Sequence, residues 1–222
     1  QFARAHLQQN KVAILRHHGS DNRQGLAAVF ERKFTEMGWK IVGQETYTKG
    51  NTDFRSQLTA LKRLQPEGIY IPGYYNDVGI IAKQAKELGI TAKLMGGDGW
   101  DSEKLFELGG TAVEGNYFSN HYSADDPNPR IQKFIANYKA TYGGVPDALA
   151  ALGYDAAMVA ADAMKRAPTL ERKAVRDAIA ATKNFPGVTG TITLDDKRNA
   201  TKPAVVLEVG QGKNKYVATI AP

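Results

Sequence analysis

Val12-Ala13-Ile14-Leu15, with Leu26, Phe30, Phe34 and Met37 following at helical spacing before Gly38, is the stretch from which the fold is read. A short apolar run with two β-branched residues suits a buried strand. The later residues mark one face of a helix, and the glycine is a natural C-terminal stop. Outward from here the alternation repeats. Ile41 and Val42 mark a second strand, after which Phe54, Leu58 and Leu61 share a helix face that Asp53 is placed to cap. Ile69-Tyr70-Ile71 leads into a helix carrying Val78, Ile81, Ala85 and Leu88, stopped by Gly89. Lys93-Leu94-Met95 precedes a short helix over 102–108, and Asn116-Tyr117-Phe118 precedes a helix carrying Ile131, Phe134, Ile135 and Tyr138. Five strand–helix units in succession predict an α/β fold with a parallel, doubly wound sheet flanked by helices on both faces.

The pattern breaks after about residue 145. Two helices follow without a strand between them, over 147–166 and 169–181, and then strand-like runs at 189–194, 204–209 and 215–220. Helices that do not return to the first sheet need another surface to cover, and alone they would expose apolar faces.

Bulk composition narrows the function classes. An apolar fraction of 42% with 9% aromatics is ordinary for a folded core. The net charge of +6 is spread over solvated helix faces. Its densest cluster, Lys165, Arg166, Arg172, Lys173 and Arg176, is interrupted by Glu171 and Asp177, so no nucleic-acid partner is expected. The absence of cysteine excludes disulfides, thiolate metal sites and a cysteine nucleophile. No apolar run approaches the roughly 20 residues that span a bilayer. A chain opening at Gln1 with no methionine or signal segment reads as processed, excised or incomplete.

Catalytic motifs are missing: there is no G-x-S-x-G, no H-E-x-x-H and no phosphate-binding G-x-x-x-x-G-K-[ST]. His17 and His18 are adjacent, so their side chains diverge, and a surface or loop pair is the default reading. No catalytic residue, metal ligand or cofactor site is assigned.

Ligands of open α/β sheets bind beyond the carboxyl ends of the strands, which directs attention to the loops at 16–24, 72–77, 96–102 and 119–128. In Pro72-Gly73-Tyr74-Tyr75 a tyrosine can pack on an apolar ligand and donate through its hydroxyl, or simply cap the sheet edge. Spacing does not separate the two. Met95-Gly96-Gly97-Asp98-Gly99-Trp100-Asp101-Ser102 is sharper. Glycines beside Asp98 allow close approach of a ligand, and its carboxylate can hold an ammonium by a charge-assisted bond of ~1.5–3 kcal/mol. Trp100 would add an apolar wall. Asp101 or Ser102 suits the cap of the next helix, which leaves Asp98 for function.

These loops, with Lys11-Val12-Ala13-Ile14-Leu15, Gly50-Asn51-Thr52-Asp53-Phe54, Asp126-Pro127-Asn128-Pro129, Gly153-Tyr154-Asp155-Ala156 and Gly187-Val188-Thr189-Gly190, resemble the leucine and leucine/isoleucine/valine-binding proteins of bacterial ABC uptake systems. Those proteins have the type I periplasmic binding fold. The resemblance implies the extracytoplasmic substrate-binding component of an importer, which captures a small, branched-chain or aliphatic amino acid reversibly between two lobes. A membrane permease is its partner, and it is periplasmic, or anchored at the cell surface in a Gram-positive organism. It implies that Tyr74, beside Gly73, stands at a ligand-contacting tyrosine, and that Asp98 stands at the acidic position that binds the α-ammonium. Asn22 falls where a further tyrosine is common, so an amide replaces an aromatic wall. Residues 1–120 correspond to lobe 2, with a helix over 129–142 leading out. Residues 121–222 correspond to helices and strands shared between the hinge and an incomplete lobe 1. A first-lobe βα segment, whose serine and threonine groups grip the ligand carboxylate, precedes the counterpart of Gln1 in that family and is expected to be missing. Three alternatives stay open: a ligand-sensing domain of a receptor or regulator, a binding protein for an aromatic acid or amide, and an α/β enzyme with an unrecognised site.

Overall fold

A computed structural model describes residues 2–19, 21–210 and 213–221. The chain forms two compact units, Gln1–Ser119 with Val206–Val217, and Asn120–Val205 with Ala218–Pro222.

In the first unit, α1 (Phe2–Ala5) precedes β1 (Lys11–His17), α2 (Asp21–Glu36), β2 (Lys40–Tyr47), α3 (Arg55–Arg63) and β3 (Gly68–Tyr70). Then come α4 (Tyr75–Glu87), β4 (Lys93–Gly96), α5 (Lys104–Gly109) and β5 (Tyr117–Asn120). β1 pairs in parallel with β2 and β3, β3 with β4, and β4 with β5. Two late strands, β9 (Ala204–Gly210) and β10 (Lys213–Ile220), complete a seven-stranded sheet in the order β10-β9-β5-β4-β3-β1-β2. Gly115 N donates to Val209 O at 2.7 Å and Val209 N to Asn116 O at 2.8 Å, which seats β9 beside β5.

Helices cover both faces of this sheet, as the strand–helix alternation predicts. Phe34 on α2 packs with Val12, Met95 and Ala3, and Phe30 lies flat on Tyr70, with centroids 4.0 Å apart and planes at 11°. A register shift between Val12 and Ala13 leaves Val42 as an extra residue in β2. This bulge turns Ile41 toward the α2 layer while Gly43 abuts Leu61 and Leu64 at the end of α3. The α3–α4 layer buries Phe54, Leu58, Leu61, Val78 and Ile81 completely, each contributing about 1.5–3 kcal/mol of burial. Gln84 joins its two helices, accepting from Phe54 N at 2.7 Å and donating to Thr52 O at 2.8 Å. Asp53 does not cap α3 as expected. The N-cap is Phe54, and the Asp53 carboxylate accepts from Arg55 N at 3.0 Å in a tight local turn.

The second unit holds α6 (Pro129–Tyr142), α7 (Ala148–Arg166) and α8 (Arg172–Ala180), with a small antiparallel sheet of β6 (Phe185–Gly187), β7 (Gly190–Leu194) and β8 (Ala200–Thr201). Asn128 caps α6 through Arg130 N, and Asp147 caps α7 through Ala150 N. Buried Asp155 on α7 accepts from Val188 N, Thr189 N and Thr189 Oγ1 at 2.7–2.8 Å, tying the helix to the hairpin. The opposite side of α7 leaves Leu149, Tyr154, Met158 and Met164 exposed.

Candidate functional site

Strand order 2-1-3-4-5 has its switch point between β1 and β3, where the chain leaves the two strands toward opposite faces. The loop that follows β3 flanks this point, and the loop that follows β4, the next strand over, meets it through Gly99, Gly73 and Tyr74.

Tyr74 is the N-cap of α4, with an extended backbone at φ −100° and ψ 158°, and its side chain is 47% exposed. Its ring lies against Gly99: a Cβ at that glycine would stand 2.8 Å from both Gly73 O and Tyr74 Cδ1. The room that Gly99 provides is thus taken by the neighbouring loop rather than held open for a ligand. Gly97 differs, having only Ser119 Oγ at 4.0 Å from the Cβ position, so open space adjoins Asp98 on that side. Asp98 itself opens a single 3₁₀ turn, Asp98–Trp100, and is partly buried. Its carboxylate is close enough to be felt by Tyr70. Burial foremost, and the Asp98 charge second, push the Tyr70 phenol up to about 12.

Trp100 departs from its expected place at the rim. It is 1% exposed, its Nε1 donates to Ile71 O at 3.1 Å, and its ring lies 6.2 Å from that of Phe118. A Cβ at Gly96 would fall inside the indole. The residue is therefore a strut that joins the end of β3 to the loop after β4, and it offers almost no wall. Asn22 lies in α2 rather than in a loop, and its side chain is outside the described residues.

Neither Asp101 nor Ser102 caps α5 as expected: the N-cap is Glu103, and it makes no side-chain cap bond. Ser102 Oγ accepts from Lys104 N at 3.3 Å, while Asp101 Oδ1 accepts from Asn214 Nδ2 at 3.5 Å. The histidine pair does diverge, but it is not a surface pair: His17 is buried edge-on against Tyr47, and His18 is exposed.

Two residues of this region escape a sequence reading. Tyr70 has the alternation of any strand residue, and only the stack on Phe30 and the nearby carboxylate single it out. Tyr47, the last residue of β2, is buried between His17 and Phe54, both edge-on at 5.2–5.3 Å. No local motif marks it.

Gly73, Tyr74, Asp98 and Trp100 are brought together on two adjoining loops. The arrangement presents an aromatic ring and a carboxylate at a strand-end crevice, suited to an apolar molecule bearing a cationic group.

The chain is similar over its full length to a leucine-binding protein from Thermotoga maritima, with 39% identity and a TM-score of 0.91, covering 63% of that chain. It is also similar to a branched-chain amino acid transporter substrate-binding protein from Streptococcus pneumoniae solved with isoleucine, with 31% identity and a TM-score of 0.86, again covering 63% of that chain. A Leu/Ile/Val-binding protein homolog from Brucella suis is 28% identical over a 222-position alignment that covers 98% of this chain and 59% of the relative. The chain thus spans about three-fifths of the length of these proteins. A family model described as periplasmic binding protein matches residues 1–214.

Proposed function

Because the chain belongs to the periplasmic binding protein family, whose model spans residues 1–214, we propose that it recognises a small amino acid, branched-chain or otherwise aliphatic, for an ABC importer. In this reading the whole protein captures its ligand reversibly between two lobes and presents the closed form to a membrane permease outside the cytoplasm. The residues of the first compact unit furnish one lobe's share of the site. Asp98 takes the ligand ammonium, and Tyr74 packs on the ligand and donates through its hydroxyl. Trp100 holds the two loops in register from beneath. No bond of the ligand is made or broken, so the protein is a carrier and not an enzyme. Closure is a population shift, driven by the ligand's preference for the closed state.

The observation that carries this reading is the meeting of Tyr74 and the Asp98 turn across Gly99, beyond the carboxyl ends of β3 and β4. The relatives named for leucine, isoleucine and valine support the ligand class. Among the described residues, no helix is long and apolar enough to cross a membrane. A thermal-shift screen of amino acids against aromatic carboxylates and amides tests the proposal. Aliphatic amino acids should give the largest upward shift, and a best ligand without an amine would overturn the role given to Asp98.

A further inference from the structure

We infer that Tyr47 is a positioning residue for the ligand-contacting loop: its hydroxyl, lodged against Gly73 and bonded to Asp77, fixes the backbone from which Tyr74 projects. The inference rests on the proposed role of Tyr74, but its geometry stands independently. A Cβ at Gly73 would stand 2.8 Å from Tyr47 Oη and 3.2 Å from Val78 Cγ2. Gly73 has no positive φ, so glycine is needed there for space and not for conformation. The same hydroxyl donates to Asp77 Oδ2 at 3.3 Å, in the first turn of α4. Asp77 N and Val78 N both donate to Tyr74 O, at 3.1 and 3.0 Å. One phenol therefore braces the loop on both sides of Tyr74: by contact before it and by hydrogen bond after it. The ring cannot drift, because His17 and Phe54 hold it edge-on at interplanar angles of 90° and 89°.

Tyr47→Phe deletes the brace and keeps the packed ring. In the ligand-free full chain, hydrogen exchange at the Asp77 and Val78 amides should quicken by about tenfold, on the scale of one hydrogen bond's net contribution. Core amides such as Ile71 and Leu94 should keep their rates. Calorimetry with L-leucine should show binding weakened by about three- to tenfold. The double variant supplies a sharper signature. Gly73→Ala meets the hydroxyl only when it is present, and no other Tyr47 atom is among the three nearest to the new methyl. Gly73→Ala should therefore cost several-fold less affinity in the Tyr47→Phe background than alone. Uniformly faster exchange throughout the core, or unchanged exchange at Asp77 and Val78, would overturn the positioning role, as would additive effects on affinity. If the unmodified protein does not bind L-leucine but the local exchange effect appears, the ligand assignment fails and the bracing of this loop stands.

Discussion

Gly96→Ala is the substitution whose cost is most directly fixed by the structure. A methyl at this position falls inside the Trp100 indole, a rigid bicyclic group that is 1% exposed and has no free end to swing aside. Either β4 or the Asp98–Trp100 turn has to move. Over-packing of this kind costs about 1–3 kcal/mol. Displacing the indole also breaks its bond to Ile71 O at 3.1 Å, a net loss of about 0.5–1.5 kcal/mol, since that carbonyl still accepts from Gly73 N at 2.8 Å. Together the loss should be about 1.5–4.5 kcal/mol. Urea denaturation followed by circular dichroism measures it. The chain has two tryptophans, Trp39 and Trp100, so a Trp39→Phe background isolates Trp100, whose emission should shift to the red as the ring is expelled. A loss below about 0.5 kcal/mol, the scale of neutral surface changes, with unchanged emission would refute the strut.

Asp155→Ala should destabilise the second unit by about 3 kcal/mol or more, because it strands the buried donors Val188 N, Thr189 N and Thr189 Oγ1; the midpoint of denaturant unfolding reads it. The Tyr70 phenol should ionise near pH 12, seen as late phenolate absorbance. Its folded pKa lies above the ordinary value of 10, so its share of stability is full below pH 10 and is lost as pH rises from 10 toward 12. Asp98→Asn removes the smaller cause and should lower that titration while leaving it above 10, since burial remains.

What the sequence carried well was local. Short apolar runs and 3.6-residue stripes locate β1 to β5 and the helices between them, because each element must bury its own face. Pairing across the chain was not legible. That residues 204–210 lie beside β5 depends on hydrogen bonds from Val209 to residues 115 and 116, nearly a hundred positions away. Two very short strands, β6 and part of the β7–β8 pair, have too few residues for a period to register. At the site, the loops were legible from glycines and aromatics at strand ends, whereas the pairing of Tyr74 with Asp98 at one ligand was only what the family resemblance implied. The burial of Trp100 was not, since an aromatic after a glycine turn reads the same whether it faces solvent or folds back under Gly96. His17 failed for a related reason: a polar residue ending a strand looks exposed until Tyr47 is found against it. The bracing by Tyr47 joins residues 26 positions apart and has no local trace.

In the proposed function, Asp98 receives the ammonium of an aliphatic amino acid. Isothermal calorimetry of L-leucine, isoleucine and valine with the whole protein and with its Asp98→Ala variant tests it most directly. Binding should be one-to-one and should weaken by roughly ten- to a hundredfold on losing the carboxylate, the worth of one charge-assisted hydrogen bond. Equal affinity of the variant for the amino acid, or tighter binding of an analogue with the amine removed, would contradict it.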